Sequence, residues 1–166
     1  VKTSVSIFNK RLIKEALQKE LERGGQIFFV HNRIRDIHKI ADYLMECIPD
    51  MKIGVAHGQM TEKDLARVMV DFYDCRLNLL LSTAIIGSGL DIPTANTIII
   101  NRADAMGLAD LYQLRGRVGR GRVRGFAYFL IPGETIITDE AKKRLQAIQE
   151  MSYLGAGFRL ALKDLE

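Results

Sequence analysis

Apolar residues along the chain fall into two alternating patterns. Nearly unbroken apolar runs stand at 26–30 (QIFFV), 78–82 (NLLLS), 97–100 (TIII) and 126–131 (FAYFLI), with shorter strand-like stretches at 4–8 (SVSIF) and 52–56 (KIGVA). Between them, apolar residues recur every three or four positions: Leu12, Ile13, Ala16, Leu17 and Leu21 within 9–23, and Ile34, Ile37, Ala41, Leu44 and Met45 within 33–48. A further helical stretch spans 62–74. The first pattern predicts strands buried on both faces, the second amphipathic helices. Asn9 is placed to cap the first helix and Gly24-Gly25 to end it. Thr61, with Asp64 three positions on, forms a capping arrangement for the third.

Strands this apolar, alternating with helices, predict a three-layer α/β domain with a mainly parallel sheet covered on both faces. Ligands of such sheets bind beyond the carboxyl ends of the strands. The residues there are His31-Asn32, His57-Gly58-Gln59, the stretch 83–89 and Asn101-Arg102. Together they predict one polar, glycine-rich edge, short of acids and suited to a phosphate-bearing ligand. After residue 133 the pattern changes. Two helical stretches, 138–151 and 153–165, predict a hairpin joined around Ser152, outside the sheet. The division is therefore 1–133 for the α/β domain and 134–166 for the hairpin.

With 48% hydrophobic and 27% charged residues, the composition is that of a globular domain. Net charge is only +4, so basic character is local rather than general. Cys47 and Cys75 fall in helical-looking segments without metal-ligand spacing and read as reduced and intracellular. No apolar run reaches membrane-spanning length. Val1 at the start and LKDLE at the end predict a piece of a longer chain.

The local charge lies in YQLRGRVGRGRVRG, where five arginines and four glycines stand between Arg115 and Gly125, and no acid occurs from 111 to 133. Arg117 and Arg120, three apart, project to one side of a helical turn. Guanidinium groups match phosphate oxygens and suit charge developing on a transferred γ-phosphoryl group. A solvated basic loop holding nucleic-acid phosphates by counterion release has the same composition. Gln113 and the QxxGRxGR spacing tell against that simpler reading.

That string follows STAIIGSGLDIP (82–93) and accompanies GGQIFFVHNRI, HGQM, LDIPTANTIIINRAD and LGAGFRLALKDLE. Over essentially its whole length the chain resembles the second RecA-like motor domain of superfamily 2 helicases and translocases. Within that superfamily it is similar to the branch of double-stranded DNA translocases that couple transcription to nucleotide excision repair. The branch of fork-remodelling helicases stands next to it.

The resemblance implies that Arg120 is an arginine finger toward ATP on the first RecA-like domain, with Arg117 beside it and Gln113 ordering the site. It implies that Asp91 accepts from the ribose hydroxyl, and that Gly89 lets the backbone approach the nucleotide. Thr83 would meet a nucleic-acid phosphate, and His57, Gly58 and Asn32 would lie on the strand-tracking surface. The arginines after Arg120 would face DNA. Arg144 matches an arginine of the family's translocation hairpin and would couple motor closure to the DNA track. Gly87 stands where the family usually carries glutamate.

No GxxxxGK[ST] and no DExH-like strand end occurs in the sequence. The resemblance therefore implies that ATP and Mg2+ are bound mainly by the first motor domain, and that this piece alone is inactive. The implied partners are double-stranded DNA, that first domain, and RNA polymerase and repair proteins reached through other domains. The implied setting is the bacterial cytoplasm, at the nucleoid, with no membrane contact.

Overall fold

The computed structural model describes residues 1–83, 94–119, 121, 123–133 and 135–153. Six strands form one parallel sheet: β1 (Lys2–Ile7), β2 (Gln26–His31), β3 (Ile53–Ala56), β4 (Leu79–Ser82), β5 (Ala95–Asn101) and β6 (Phe126–Ile131), in the order β1-β6-β5-β2-β4-β3. The helices are α1 (Lys10–Glu22), α2 (Ile37–Cys47), α3 (Glu62–Tyr73), α4 (Leu108–Arg115) and α5 (Asp139–Tyr153).

Alternation along the strands divides the core in two. Ile27, Phe29, Leu79, Leu81, Ile99 and Leu130 pack with α1 and α2 through Ile13, Leu17, Ile37 and Leu44. Their neighbours Phe28, Val30, Leu80, Ile98, Ile100 and Phe129 pack on the other face with Phe72 of α3, Leu111 and Leu114 of α4, and Leu145 and Ile148 of α5. A strand with period-two side chains feeds both layers only if it is apolar throughout, which is why the central runs are unbroken. Full burial of side chains such as Phe28, Phe29 and Leu80 stabilises the fold by roughly 1.5–3 kcal/mol each.

The local signals act where expected. Asn9 Oδ1 accepts from the Arg11 and Leu12 amides at 2.8 and 3.2 Å, and Gly24 leaves α1 at φ 77°. Thr61 Oγ1 accepts from the Asp64 amide at 3.1 Å. Three expectations are corrected. The second helix opens as a 3-10 turn, Ile34–Asp36, and Met45 is 43% exposed. It follows inward-facing Leu44, and one residue turns about 100° around a helix. Cys75 lies past the end of α3 at φ 62°, exposed, whereas Cys47 is buried. Finally, α5 packs over the sheet beside β1 instead of standing outside it, and it runs through Ser152 to Tyr153. The second arm of the predicted hairpin lies outside the described residues.

Two buried polar side chains are tied off by several hydrogen bonds each. Glu20 is fully buried. It takes the Arg23 Nε and Nη2 hydrogens at 3.1 and 2.5 Å and the Thr97 hydroxyl at 2.5 Å. Gln26 donates to the Phe72 and Leu77 carbonyls at 2.7 and 2.8 Å, which fastens the end of α3 to β2.

Candidate functional site

The central strands β2 and β5 end side by side, with His31 in register with Asn101. Buried His31 joins the two ends. Its Nδ1 accepts from Asn101 Nδ2 at 3.0 Å, so its Nε2 carries the proton that goes to Asp36 Oδ1 at 2.6 Å. Asp36 also takes the Arg33 Nε and Nη2 hydrogens, at 3.2 and 3.0 Å. The Arg33 guanidinium, with His31, holds the Asp36 carboxyl well below the usual carboxylate range. Beyond β5 the same device recurs. Arg102 Nε and Nη2 donate to Asp104 Oδ1 and Oδ2 at 3.0 and 2.9 Å, which favours the charged guanidinium. His31, Asn32, Arg33, Asn101, Arg102, Ala105 and Met106 line a cavity of about 150 Å³.

Two further strand ends extend this edge. Exposed Gly58 follows half-buried His57, whose ring lies edge-on to His38 at 6.4 Å. The His57 amide meets Met60 Sδ at 3.3 Å, and its Nδ1 accepts from the Gln59 amide at 3.2 Å. A side chain added at Gly58 would meet nothing within 4 Å, so packing does not demand glycine there. Thr83 closes β4 with its amide on the Ala56 carbonyl at 3.3 Å. Its buried hydroxyl has no hydrogen-bond partner among the described residues.

The arginine segment runs elsewhere. Gln113 is exposed on α4, where Leu108, Ala109, Tyr112 and Gln113 line an open, largely apolar recess. Arg117 is half-buried in the turn that follows, its amide on the Leu114 carbonyl at 3.0 Å. The chain then returns to the amino ends of the strands, where the Lys2 amide donates to the Gly125 carbonyl at 2.9 Å. Gly119 has φ 69°, and a side chain on it would strike Val1 and Gly125. Arg124 stands at this amino edge 6.0 Å from the centre of the Phe126 ring, which Lys19 and Arg23 also approach, to 4.0 and 5.0 Å. It is thus at the opposite edge of the sheet from Asn32, His57 and Thr83. Arg120, Gly89, Asp91 and Gly87 lie outside the described residues.

Helix α5 ties these parts together. Arg144, half-buried, donates through Nε to the Met106 carbonyl at 3.1 Å and through Nη2 to the Asp104 carbonyl at 2.9 Å. One turn on, the Ile148 carbonyl accepts from Arg115 Nη1 at 3.0 Å. The turn just before α4 and the last residue of α4, the helix that carries Gln113 and leads into Arg117, are thereby tied to α5. The sequence reading missed Arg33, Asp36, Arg102 and Asp104 as a group. The signal was present as HNRIRD and NRAD, an Asn-Arg pair at each strand end with an aspartate two or three positions after the arginine.

Residues 9–122 match the helicase conserved C-terminal domain, and the chain belongs to that family. Its fold is the RecA-like lobe of that family, found in superfamily 2 helicases. More particularly, the chain is 49% identical over 166 residues to the transcription-repair-coupling factors of Myxococcus xanthus and of Escherichia coli (strain K12), covering 100% of this chain and 14% of each relative. A structure of RecG bound to a three-way DNA junction superposes with TM-score 0.77 at 31% identity, over 99% of this chain and 22% of that one. The C-terminal domain of the DEAD-box protein Dbp5 shares the fold at TM-score 0.63 and 19% identity, over 91% of this chain and 83% of that one. Among the described residues no helix is long and apolar enough to cross a membrane.

Proposed function

We propose that this chain is the C-terminal motor lobe of an ATP-dependent double-stranded DNA translocase that displaces stalled RNA polymerase and couples transcription to nucleotide excision repair. The observation that carries this reading is the 49% identity to transcription-repair-coupling factors along the entire chain. The equivalent lobe of a RecG-type fork-remodelling helicase is the second reading, favoured by the superposition on RecG but at lower identity. Such a protein works in the bacterial cytoplasm, at the nucleoid.

In this reading ATP and Mg2+ are held mainly by the preceding RecA-like lobe, and ATP supplies the γ-phosphoryl group that faces this one. The donor set fits such a ligand: a half-buried guanidinium at Arg117 follows an exposed amide at Gln113 within about one helical turn. Arg120 completes the pair as the finger, because a permanent planar cation best meets charge that develops only in the transition state. Asp91 takes the ribose hydroxyl, and Gly89 lets the backbone approach. Thr83, His57, Gly58 and Asn32 face the DNA strand. Arg144 couples the two, since a packed helix tied to the turn before α4 and to its last residue carries a shift of the arginine segment to the residues after β5.

The test is Arg120→Ala in the full-length protein. ATP binding should persist while hydrolysis falls on the order of a thousandfold, as for arginine fingers elsewhere. Arg120→Lys should restore little, because an ammonium lacks the planar fork. Near-normal turnover in both variants removes Arg120 from the site. The isolated chain should show no Mg2+-dependent turnover above background. Its DNA binding should be weak, indifferent to sequence and steep in salt. Robust turnover by the pure piece overturns the half-motor reading. Salt-dependent DNA binding with normal hydrolysis in every arginine variant of the full-length protein would instead mark a plain nucleic-acid-binding module.

A further inference from the structure

The amino edge of the sheet gathers positive charge with little to offset it. Three cations converge on the Phe126 ring: Lys19 at 4.0 Å from its centre, Arg23 at 5.0 Å and Arg124 at 6.0 Å. Lys2, exposed and in register with Phe126, adds a fourth beside them. Attraction to the ring accounts for where the cations lie, but it leaves their charges uncompensated and mutually repelling. Arg23 is paired with Glu20, a carboxylate fully buried and shared with the Thr97 hydroxyl. Glu15, one turn before Lys19, is drawn the other way, to Arg11 at 3.3 Å. Among the described residues Lys2, Lys19 and Arg124 form no ion pair.

The cluster is held in place by its own bonds. Arg23 gives Nε and Nη2 to Glu20 and Nη1 to the Arg124 carbonyl at 2.9 Å, so one anchored guanidinium fixes the backbone of the next arginine. Gly125 then passes so close to Gly119 that a side chain on either would crowd the other's backbone, which sets the direction in which the chain leaves Arg124. Val123, adjoining Arg124, is 46% exposed. A phosphate backbone offers nothing to an exposed valine, whereas an acidic polypeptide segment with apolar side chains meets both it and the cations. The edge of Asn32, His57 and Thr83 lies at the other end of the strands. Six residues of β6 span about 20 Å, well beyond the ~8–10 Å over which exposed charges act in physiological salt. A duplex seated on that edge does not reach this cluster.

Magnitudes decide where such a segment comes from. An exposed ion pair changes an equilibrium constant by about fivefold at most. Pairs at Lys2, Lys19 and Arg124 together give a little over a hundredfold, and covering Val123 adds about tenfold. The result is a dissociation constant near a millimolar. A separate protein at ordinary cellular concentration leaves such a surface mostly empty, whereas a segment tethered at millimolar effective concentration keeps it about half occupied. The chain spans 14% of its relatives' length, so their greater part lies outside it. We propose that the amino edge, through Lys2, Lys19, Arg23 and Arg124, docks an acidic segment of the same full-length polypeptide from outside residues 1–166. The docking rests on the reading of this chain as one lobe of a longer protein and is independent of its nucleotide chemistry.

The experiment is zero-length carbodiimide coupling of the full-length protein, which joins a lysine amine to a carboxylate in direct contact, read by mass spectrometry. Lys2 and Lys19 should be joined to aspartates or glutamates outside residues 1–166 of the same molecule, in a yield that dilution does not change. Arg124→Glu, which removes one attraction and adds a repulsion, should lower that yield about tenfold while coupling at exposed Lys63 of α3 stays the same. Lys19→Glu, on the exposed side of α1, should lower the Lys2 yield alike, so the result does not hang on the folding of one variant. No coupling of Lys2 or Lys19 to carboxylates outside 1–166 overturns the proposal. Coupling only between molecules, rising with concentration, also overturns it and assigns the surface to a separate partner. A drop of about one in the slope of log duplex affinity against log salt in Arg124→Glu, without coupling in the unaltered protein, assigns it to nucleic acid instead. Coupling as expected, but with no DNA-stimulated hydrolysis by the same unaltered preparation, keeps the docking and defeats the motor reading.

Discussion

Leu145 sits in α5, fully buried, in the cluster that contains Val5 of β1, Phe129 and Ile131 of β6, and Leu114 of α4. Its replacement by alanine asks whether α5 is an appendage or part of the fold. Removing a leucine side chain from a closed site loses its transfer energy and leaves a cavity, costing 2–5 kcal/mol in measured series. With neighbours drawn from two strands and another helix, collapse into the space is restricted, and about 3 kcal/mol is the expected loss. For a chain of 166 residues each kcal/mol lowers the midpoint by about 2–4 °C, so melting should fall by roughly 6–12 °C. The assay is thermal and urea unfolding of this chain by circular dichroism, with Lys143→Ala, at an exposed position of the same helix, as control. A single transition with lower midpoint and unchanged m-value is expected. A change within ~0.5 kcal/mol, or a separate early transition in the unaltered chain, would refute the reasoning and support a division near residue 133.

Other outcomes follow from features already described. In the full-length protein, Arg144→Ala should leave DNA-stimulated hydrolysis in place while displacement of a triplex strand or stalled polymerase fails; loss of neither activity makes Arg144 a surface residue. Gly25→Ala should destabilise by about 2–3 kcal/mol in a urea melt, because the new methyl would overlap the buried Glu20 carboxylate, held by Arg23 and Thr97. Asp36 has a depressed folded pKa, so its contribution is complete above the ordinary carboxylate range and is lost as pH falls through its lower folded value. The stability difference between the unaltered chain and Asp36→Asn should therefore shrink below about pH 4, seen in melts at stepped pH. A thiol reagent should modify exposed Cys75 at once. Cys47, buried and with its pKa raised by that burial, should react only as the chain unfolds.

The strands were legible because a parallel sheet covered on both faces leaves no room for polar alternation, and all six positions of β2 are buried. The caps at Asn9 and Thr61 were legible because their chemistry is local. Strand order was not. Nothing near Phe126 in the chain says that β6 will insert between β1 and β5. The place of α5 was lost for a similar reason, since its apolar stripe fits any apolar partner and the choice of β1 is made by topology. On the carboxyl edge, Asn32, His57 and Thr83 were reached by the rule of strand ends. The Arg33–Asp36 and Arg102–Asp104 pairs were missed as a group because Arg33 and Arg102 lie sixty-nine positions apart and the His31–Asn101 register brings them to one cavity. Arg124 was legible only as one of a basic run; its place at the amino edge is set by Phe126 and the start of β6.

The pairing of β1 with β6 alone also bears on how the lobe is made. Lys2 aligns with Phe126, so the first strand of this sheet has its one partner among the described residues more than a hundred residues later. At 5–20 residues per second that partner arrives on the order of ten seconds afterwards, an interval long beside the millisecond-to-second folding of small domains. Throughout it, an extended segment with Val5 on its core-facing side has no strand to join. What limits its exposure is the sequence itself: KTSVSI alternates polar with apolar, unlike the unbroken runs of the central strands, and so is a poor template for pairing with other chains. The weakest apolar pattern in the sheet therefore stands at the position that must wait longest in solution.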